Sequence, residues 1–486
     1  MQFTDRRILF YGFATSNYFF REVMRKMLAQ GHKASDLGIA FPNGQYRKFY
    51  KGVLPDDSVC YLYRNYNAVY EQVKRDRNYT VIQQDFADNA FMILAADKLG
   101  FRDLPSGEQL DNLETVFRIY SEFLDHFRPD CIVFPDIEVV DAYLLYNMAK
   151  ARNIPIAYYF HLRNLGLSVL GDTVTEGFAP YFGVVNDRGR ALAADFLKRA
   201  GEALPPPSSF NPPWTDMPQP LPAQAGPLTR LLQSFMLRLG PERHYHGEDS
   251  YTQKIKIAVL PWLNKYREFR YRNFVQPGMH IRKISDLPEK FHLFALQVTP
   301  ESSINYLAPY YIDQIRAIDE IRMALPPGAW LVVKEHPAMK GARPAKFYAD
   351  LKKMPGVLVA DAMVPMAEFK KRAGVIFTIT GTVALECLLA KQPCYMFGRN
   401  FLASYVPGKK DDPDLKVFLR QDLHKVMSEK YEKMVADLPK IYSIAHPFII
   451  WEPRGTPKVM ADGNISSFIA ALGEHFSRID EIRQAA

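Results

Sequence analysis

The stretch VIFTITGTVALECLLAKQPCYMFG, from Val375 to Gly398, constrains the fold more than any other part of the chain. VIFTIT is continuous in apolar and β-branched residues and stops at Thr380-Gly381-Thr382. TVALECLLAK then has helical spacing, and Pro393 opens a second apolar run, PCYMFG. A strand without polar alternation is buried on both faces, and two such strands joined through a helix form a parallel βαβ unit. Gly381 permits close backbone approach. The Thr380 and Thr382 hydroxyls, with the helix N-terminal N–H groups, suit phosphate oxygens. Glu386, one turn into the helix, reads as a buried acid placed to accept hydrogen bonds from ribose hydroxyls. The plainer alternative is a capping turn followed by a satisfied acid.

The pattern repeats on both sides. FHLFALQV, AWLVVKEH and VLVAD are strands, separated by the helices YYIDQIRAIDEIRMAL and 345–353, and PMAEFKKRA is the helix before VIFTIT. In the first half, RRILFYGF is a strand and NYFFREVMRKMLAQG a helix ended by Gly31. CIVFPD (131–136), the helix 140–153 and the strand 156–164 repeat the alternation. The expected fold class is α/β: two Rossmann-type doubly wound domains facing a central cleft at the carboxyl ends of both sheets.

The proline distribution sets the boundaries. Residues 205–227 hold nine prolines, an extended connection with fixed φ and few donors. A chain of 486 residues is too long for one core. The expected domains are 1–200, a Pro-rich linker 201–227, a basic helical connection 228–289, and 290–486 with C-terminal helices.

Polar groups gather where the strands end. In the first domain these are Asp136, Glu138 just after it, and His161 with Arg163. In the second they are Gln297 with TPESS (299–303), Lys334-Glu335-His336-Pro337, Asp361, and the Thr380–Thr382 turn. A simple turn needs only Gly, Asn or Asp, so a Lys, an acid and a His directly after a short apolar strand ask for a further reason. For Asp361 alone, an ordinary strand end suffices.

The net charge of +8 points to an anionic partner. From 228 to 275 there are nine Lys/Arg against four acids, a net +5. LTRLLQSFMLRL (228–239) has one apolar helical face, and Tyr266, Phe269, Tyr271 and Phe274 lie among the cations. Two readings stay open at equal weight: an anionic membrane face, or helices packed on the domain with a basic outer side. No recognised RNA-binding module accompanies the patch, so nucleic acid is not expected as a partner. Cys60, Cys131, Cys387 and Cys394 have no metal spacing and read as buried reduced thiols of a cytosolic protein. The acidic DDPD at 411–414 reads as a solvated loop, and no metal site is expected. The N-terminal MQFTDRRILFYGF reads as a first strand and not a signal peptide. No run of about 18 apolar residues is present, so no spanning helix is expected.

LQVTPESS (296–303), DQIRAIDEIRMALPPGAWLVVKEHP (313–337) and TITGTVALECLLAKQPCYMFG (378–398) resemble the bacterial capsule polysaccharide synthesis family, GT-B glycosyltransferases that include the capsule β-Kdo transferases. The resemblance covers about 290–400 well and the first half in pattern only. It implies a nucleotide-sugar donor, CMP- or UDP-linked, held mainly by the second domain, and an oligosaccharide or glycolipid acceptor held by the first. It implies no further cofactor. Lys334 and His336 suit the departing phosphates, with Thr380, Gly381, Thr382 and Glu386 completing the donor set. The acceptor's base is sought among Asp136, Glu138 and His161, with Asp136 favoured because it directly ends a core strand. Lipid-linked acceptors imply a cytoplasmic protein working peripherally at the inner face of the membrane. The alternatives are a sugar-nucleotide epimerase of related fold, which needs no acceptor, and a non-catalytic capsule assembly or export protein, which needs no nucleotide.

Overall fold

The structure is a computed structural model describing residues 3–13, 15–42, 46–62, 65–97, 101, 104–137, 139–162, 167–173, 185–202, 251–411, 413–450 and 456–485. The Pro-rich stretch 205–227, the apolar helix expected at 228–239, and Glu138 lie outside the described residues. The chain divides into two compact units. Unit 1 holds 1–173, 178–258 and 438–486, and unit 2 holds 174–177 and 259–437.

Unit 1 carries a six-stranded sheet in the order β3-β2-β1-β4-β5-β6. Its strands are β1 (Ile8–Tyr11), β2 (Leu37–Phe41), β3 (Val59–Tyr61), β4 (Cys131–Phe134), β5 (Ile156–Leu162) and β6 (Leu167–Gly171). The pairs through β5 are parallel, and β6 closes the edge antiparallel. β1, β2 and β4 are buried at every position, as continuous apolar strands between two helical layers must be. Unit 2 carries an all-parallel sheet in the order β11-β10-β7-β8-β9. Its strands are β7 (Phe291–Ala295), β8 (Trp330–Lys334), β9 (Val357–Ala360), β10 (Ile376–Thr378) and β11 (Cys394–Met396). In both units the first strand sits centrally and the order reverses beside it, which is the doubly wound Rossmann arrangement. The chain is therefore α/β and GT-B-like in composition, with two such units. The reversal falls between β1 and β4 in unit 1, and between β7 and β10 in unit 2. Open α/β sheets bind ligands just outside the carboxyl ends at that position.

The sequence division placed 290–486 in one domain, and the structure corrects this. Leu438–Ala486 groups with unit 1, and the main segment of unit 2 runs from Val259 to Asp437. The helix Leu423–Ser443 runs through the boundary and the chain does not return. The final helix, Asp462–Ala485, buries Phe468, Leu472 and Phe476. Phe468 meets Phe19 of the first helix, with ring centroids 5.3 Å apart. His475 Nε2 lies 2.8 Å from the Ile156 carbonyl of β5. Burial of several large apolar side chains, at about 1.5–3 kcal/mol each, outweighs proximity in sequence.

All four cysteines are buried and unpaired. Burial pushes the Cys60 thiol up to about 12, so it behaves as a small core hydrophobe. Among the described residues no helix is long and apolar enough to cross a membrane.

Candidate functional site

Unit 2 places its polar strand ends at the switch between β7 and β10. Gln297, two residues beyond β7, is buried and stands against the turn that follows β10. With its carboxamide oriented to satisfy both ends, Oε1 accepts from the N–H groups of Ile379, Thr380 and Gly381 at 3.2, 2.8 and 2.6 Å. It also accepts from Thr378 Oγ1 at 2.8 Å, while Nε2 donates to Thr380 Oγ1 at 3.0 Å. The Thr380 hydroxyl in turn donates to the Ser303 carbonyl at 2.6 Å. A Cβ on Gly381 would meet Thr378 Oγ1 at 2.7 Å and the Gln297 carboxamide oxygen at 2.9 Å, so a glycine is required for this close approach.

This arrangement divides the expected phosphate turn. Thr380 and the Gly381 N–H are committed to Gln297 and face the protein. Thr382 is exposed, and as the N-cap of the helix Val383–Leu389 it makes no side-chain cap bond, so its hydroxyl is the outward group. Glu386 is not buried. It is half-exposed and forms an ion pair with Lys370, because its helix packs through Ala384, Cys387 and Leu388 and leaves position 386 at the margin.

The KEHP segment divides in a similar way. Lys334 ends β8 and is buried, with Nζ donating to the carbonyls of Ala362 at 2.9 Å and Glu335 at 3.3 Å. Burial lowers its pKa, and Asp361 and Glu335 oppose that. Its charge ties the loop after β9 to β8 and is not turned outward. Glu335 is also buried. Its Oε2 accepts from Arg343 Nε at 2.9 Å and from Tyr348 Oη at 2.6 Å, and its Oε1 accepts from the His336 N–H at 2.6 Å. His336 is exposed, and its Nδ1 accepts from the Ala338 N–H at 3.1 Å. Partial burial holds its pKa below the ordinary histidine value, against the opposing pull of Glu301 and Glu335. A neutral ring with Nδ1 accepting carries its proton on Nε2, so the outward edge is a hydrogen-bond donor.

Sequence reasoning gave Gln297 a position without a role and gave Arg343 none. Arg343 is buried, and its Nη2 donates to the Gln297 carbonyl at 2.5 Å while Nε holds Glu335. The Gln297 backbone is further clamped by Gln314, whose Oε1 and Nε2 engage its N–H and carbonyl at 3.0 Å each. An unbroken hydrogen-bonded path therefore runs from the Thr380–Gly381 turn through Gln297, Arg343 and Glu335 to the backbone of His336. The available signal was Glu335 itself: a carboxylate directly after a buried strand needs a cation close by.

In unit 1, Asp136 follows β4 and is half-buried, with Oδ1 accepting from the Ile137 N–H at 2.6 Å. His161 lies within β5 and not beyond it. It pairs in register with Ser168 of β6, and its Nδ1 is 3.3 Å from Ser168 Oγ. Arg163 lies outside the described residues. Asp136 and His161 stand at the carboxyl ends of adjacent parallel strands. At the switch itself sits a pair the sequence did not reveal. Tyr11 Oη donates to Asp141 Oδ2 at 2.8 Å, both residues are buried, and burial raises the Asp141 carboxyl to about 7.

Fold and site together define a two-unit doubly wound α/β protein whose second unit presents a built switch-point turn with an outward neutral imidazole. Residues 232–436 match the family model described as capsule polysaccharide biosynthesis protein. The capsule-family resemblance read from the KEHP and TGT segments thus holds for that part of the chain. No curated protein sequence is significantly similar to the chain. Among solved structures, the chain is similar to the beta Kdo 2,4 transferase of Thermosulfurimonas dismutans KpsC, with 13% identity, 71% of this chain and 87% of that chain covered, and a TM-score of 0.32. The beta Kdo 2,7 transferase of the same KpsC aligns with 12% identity, 70% and 84% coverage, and a TM-score of 0.28. The UDP-GlcNAc 2-epimerase of Methanocaldococcus jannaschii aligns with 13% identity, 88% and 99% coverage, and a TM-score of 0.22. These are remote likenesses, and the functional reading rests on the family segment and the site.

Proposed function

We propose that the chain is a glycosyltransferase of capsule-type polysaccharide assembly. It moves a sugar from a CMP- or UDP-linked donor to a growing capsular or lipid-linked acceptor at the cytoplasmic face of the membrane. The observation that carries the reading is His336: a neutral, outward imidazole within the capsule-family segment, fixed by Glu335 and Ala338 and linked through Glu335 and Arg343 to the Gln297-bound turn. A donor of this kind can stabilise charge growing on a departing phosphate, which is the main demand of the reaction. Thr382 adds a hydroxyl, Glu386 is assigned the ribose, and Lys334 acts by holding the loops in place. Asp136 of unit 1 is assigned the acceptor's proton, with Glu138 and His161 as its neighbours. Protein donors, and no resident metal, are assigned the phosphates.

A thermal-shift screen against CMP-, UDP-, GDP- and CDP-linked sugars tests the reading, followed by transfer assays with and without EDTA. A shift with a nucleotide sugar and EDTA-insensitive transfer are expected. Conversion of a UDP-sugar without acceptor would make the chain an epimerase, and no shift with any donor would leave a non-catalytic assembly protein.

A further inference from the structure

The helix Tyr251–Arg270 and the turn Tyr271–Val275 that continues it differ along their length. The C-terminal end is anchored. Tyr271, Val275 and Met279 are buried in the core of unit 2, Tyr271 Oη donates to Asp361 Oδ1 at 2.7 Å, and Arg270 Nη2 donates to the carbonyls of Gly341 and Arg343 at 2.6 and 2.7 Å. The described stretch before it is open. Trp262, Tyr266 and Phe269 recur at i, i+4 and i+7 with relative exposures of 75%, 59% and 58%, and Phe274 beyond them is 72% exposed. Val259, Leu260 and Leu263 are also exposed next to this stripe. Large aromatics concentrated on one exposed helical face are not ordinary surface scatter.

The charges beside the stripe point to the occupant. Residues 262–275 hold Lys265, Arg267, Arg270 and Arg272 against the single acid Glu268. Lys265 Nζ lies 5.6 Å from the Trp262 ring centroid, and Arg272 reaches Glu268 at 2.7 Å. We infer that this face seats on an anionic lipid surface, with Trp262, Tyr266, Phe269 and Phe274 entering the interface and Lys265, Arg267 and Arg272 meeting headgroup phosphates. Trp and Tyr have an apolar body and a polar edge, which suits the headgroup boundary. A helix anchored at its C-terminal end through Arg270 and Tyr271 presents these side chains without having to fold on contact. A second copy of the chain would bring the same cations against one another, which disfavours it. The inference deepens the membrane-side location proposed above, and its test needs no turnover.

The test is flotation of the full-length protein with phosphatidylglycerol-containing vesicles and with pure phosphatidylcholine vesicles, at low and high salt. Wild type is expected to float with the anionic vesicles and to release in high salt. The variant Trp262→Ser, Tyr266→Ser, Phe269→Ser should lose roughly 100-fold in partitioning. Lys265→Gln with Arg272→Gln should lose roughly 10-fold on anionic vesicles only. Quenching of wild-type fluorescence by brominated lipid, lost in Trp262→Phe, would locate the contact. Donor binding measured on the same preparations should be unchanged in every variant. Wild type that fails to float at low salt, or an aromatic variant that floats equally well, overturns the proposal. So does a wild-type dimer that the aromatic variant dissociates, because a second copy then covers the face. Wild type that floats but binds no nucleotide sugar leaves this surface standing and removes the glycosyltransferase reading instead.

Discussion

Arg343 joins two strand ends of unit 2: its Nε donates to Glu335 Oε2 at 2.9 Å, and its Nη2 donates to the Gln297 carbonyl at 2.5 Å. Both side chains of the ion pair are almost fully removed from solvent. Arg343→Met leaves Glu335 buried without its cation, and breaking such a pair costs about 3–5 kcal/mol. Urea denaturation of donor-free protein should show that loss. A loss below ~1 kcal/mol would mean that Tyr348 and the His336 N–H alone satisfy the carboxylate.

Gln297 tests the turn itself. Gln297→Glu keeps an oxygen for the Ile379, Thr380 and Gly381 N–H groups but adds a negative charge beside the assigned phosphate position. Donor affinity should fall about tenfold or more, the equivalent of ~1.4 kcal/mol, with the far-ultraviolet circular dichroism unchanged. Gly381→Ala should lower stability by about 1–3 kcal/mol through the clash with Thr378 and Gln297. Wild-type donor affinity in Gln297→Glu would place the phosphates elsewhere.

The assigned base makes a kinetic prediction. Asp136→Asn should reduce kcat by ~10²–10⁴-fold with donor Kd unchanged. If Asp136→Asn turns over normally while Glu138→Gln or His161→Ala is inactive, the proton goes to one of those neighbours.

Asp141 predicts a pH dependence in unit 1. Its folded pKa of about 7 lies above the ordinary value of 3.8, so folding favours the protonated acid. Stability from this group is fully present below pH 3.8 and falls as pH rises towards about 7, with no further change above. Asp141→Asn does not titrate there. Wild type should therefore lose about 2–3 kcal/mol relative to the variant between pH 5 and pH 8, as an upper estimate. Parallel pH profiles would show that Asp141 is charged in the folded protein.

Much of unit 2 was legible because its strands are unbroken apolar runs and its turns carry distinctive residues. β7 through β11 all fall inside the segments read from the sequence. Unit 1 was read less completely. β3 has only three residues, too few for a periodicity, and β6 is an antiparallel edge that continuous parallel patterning does not signal. The return of Leu438–Ala486 to unit 1 depends on contacts such as Phe19 with Phe468, which are invisible in a local window. At the site, the sequence singled out residues at strand ends but not which way their side chains turn. Lys334 looked like a phosphate cation and is a buried tie, because a residue on the last position of a core strand has carbonyls within reach. Glu386 looked buried and is half-exposed, because its neighbours one position along occupy the packed face.

The proposed role of His336 is to donate to the phosphates of a nucleotide sugar. Its most direct test is calorimetric titration of the best donor from the thermal-shift screen into wild type, His336→Ala and Lys334→Met, with transfer measured on the same samples. The account predicts that His336→Ala stays folded but loses about 10²-fold or more in kcat/KM, the scale of one preorganised donor to developing charge. Lys334→Met should instead lower thermal stability and leave donor affinity within a few-fold of wild type. Wild-type turnover in folded His336→Ala, or a donor affinity that depends on Lys334 and not on His336, would contradict it.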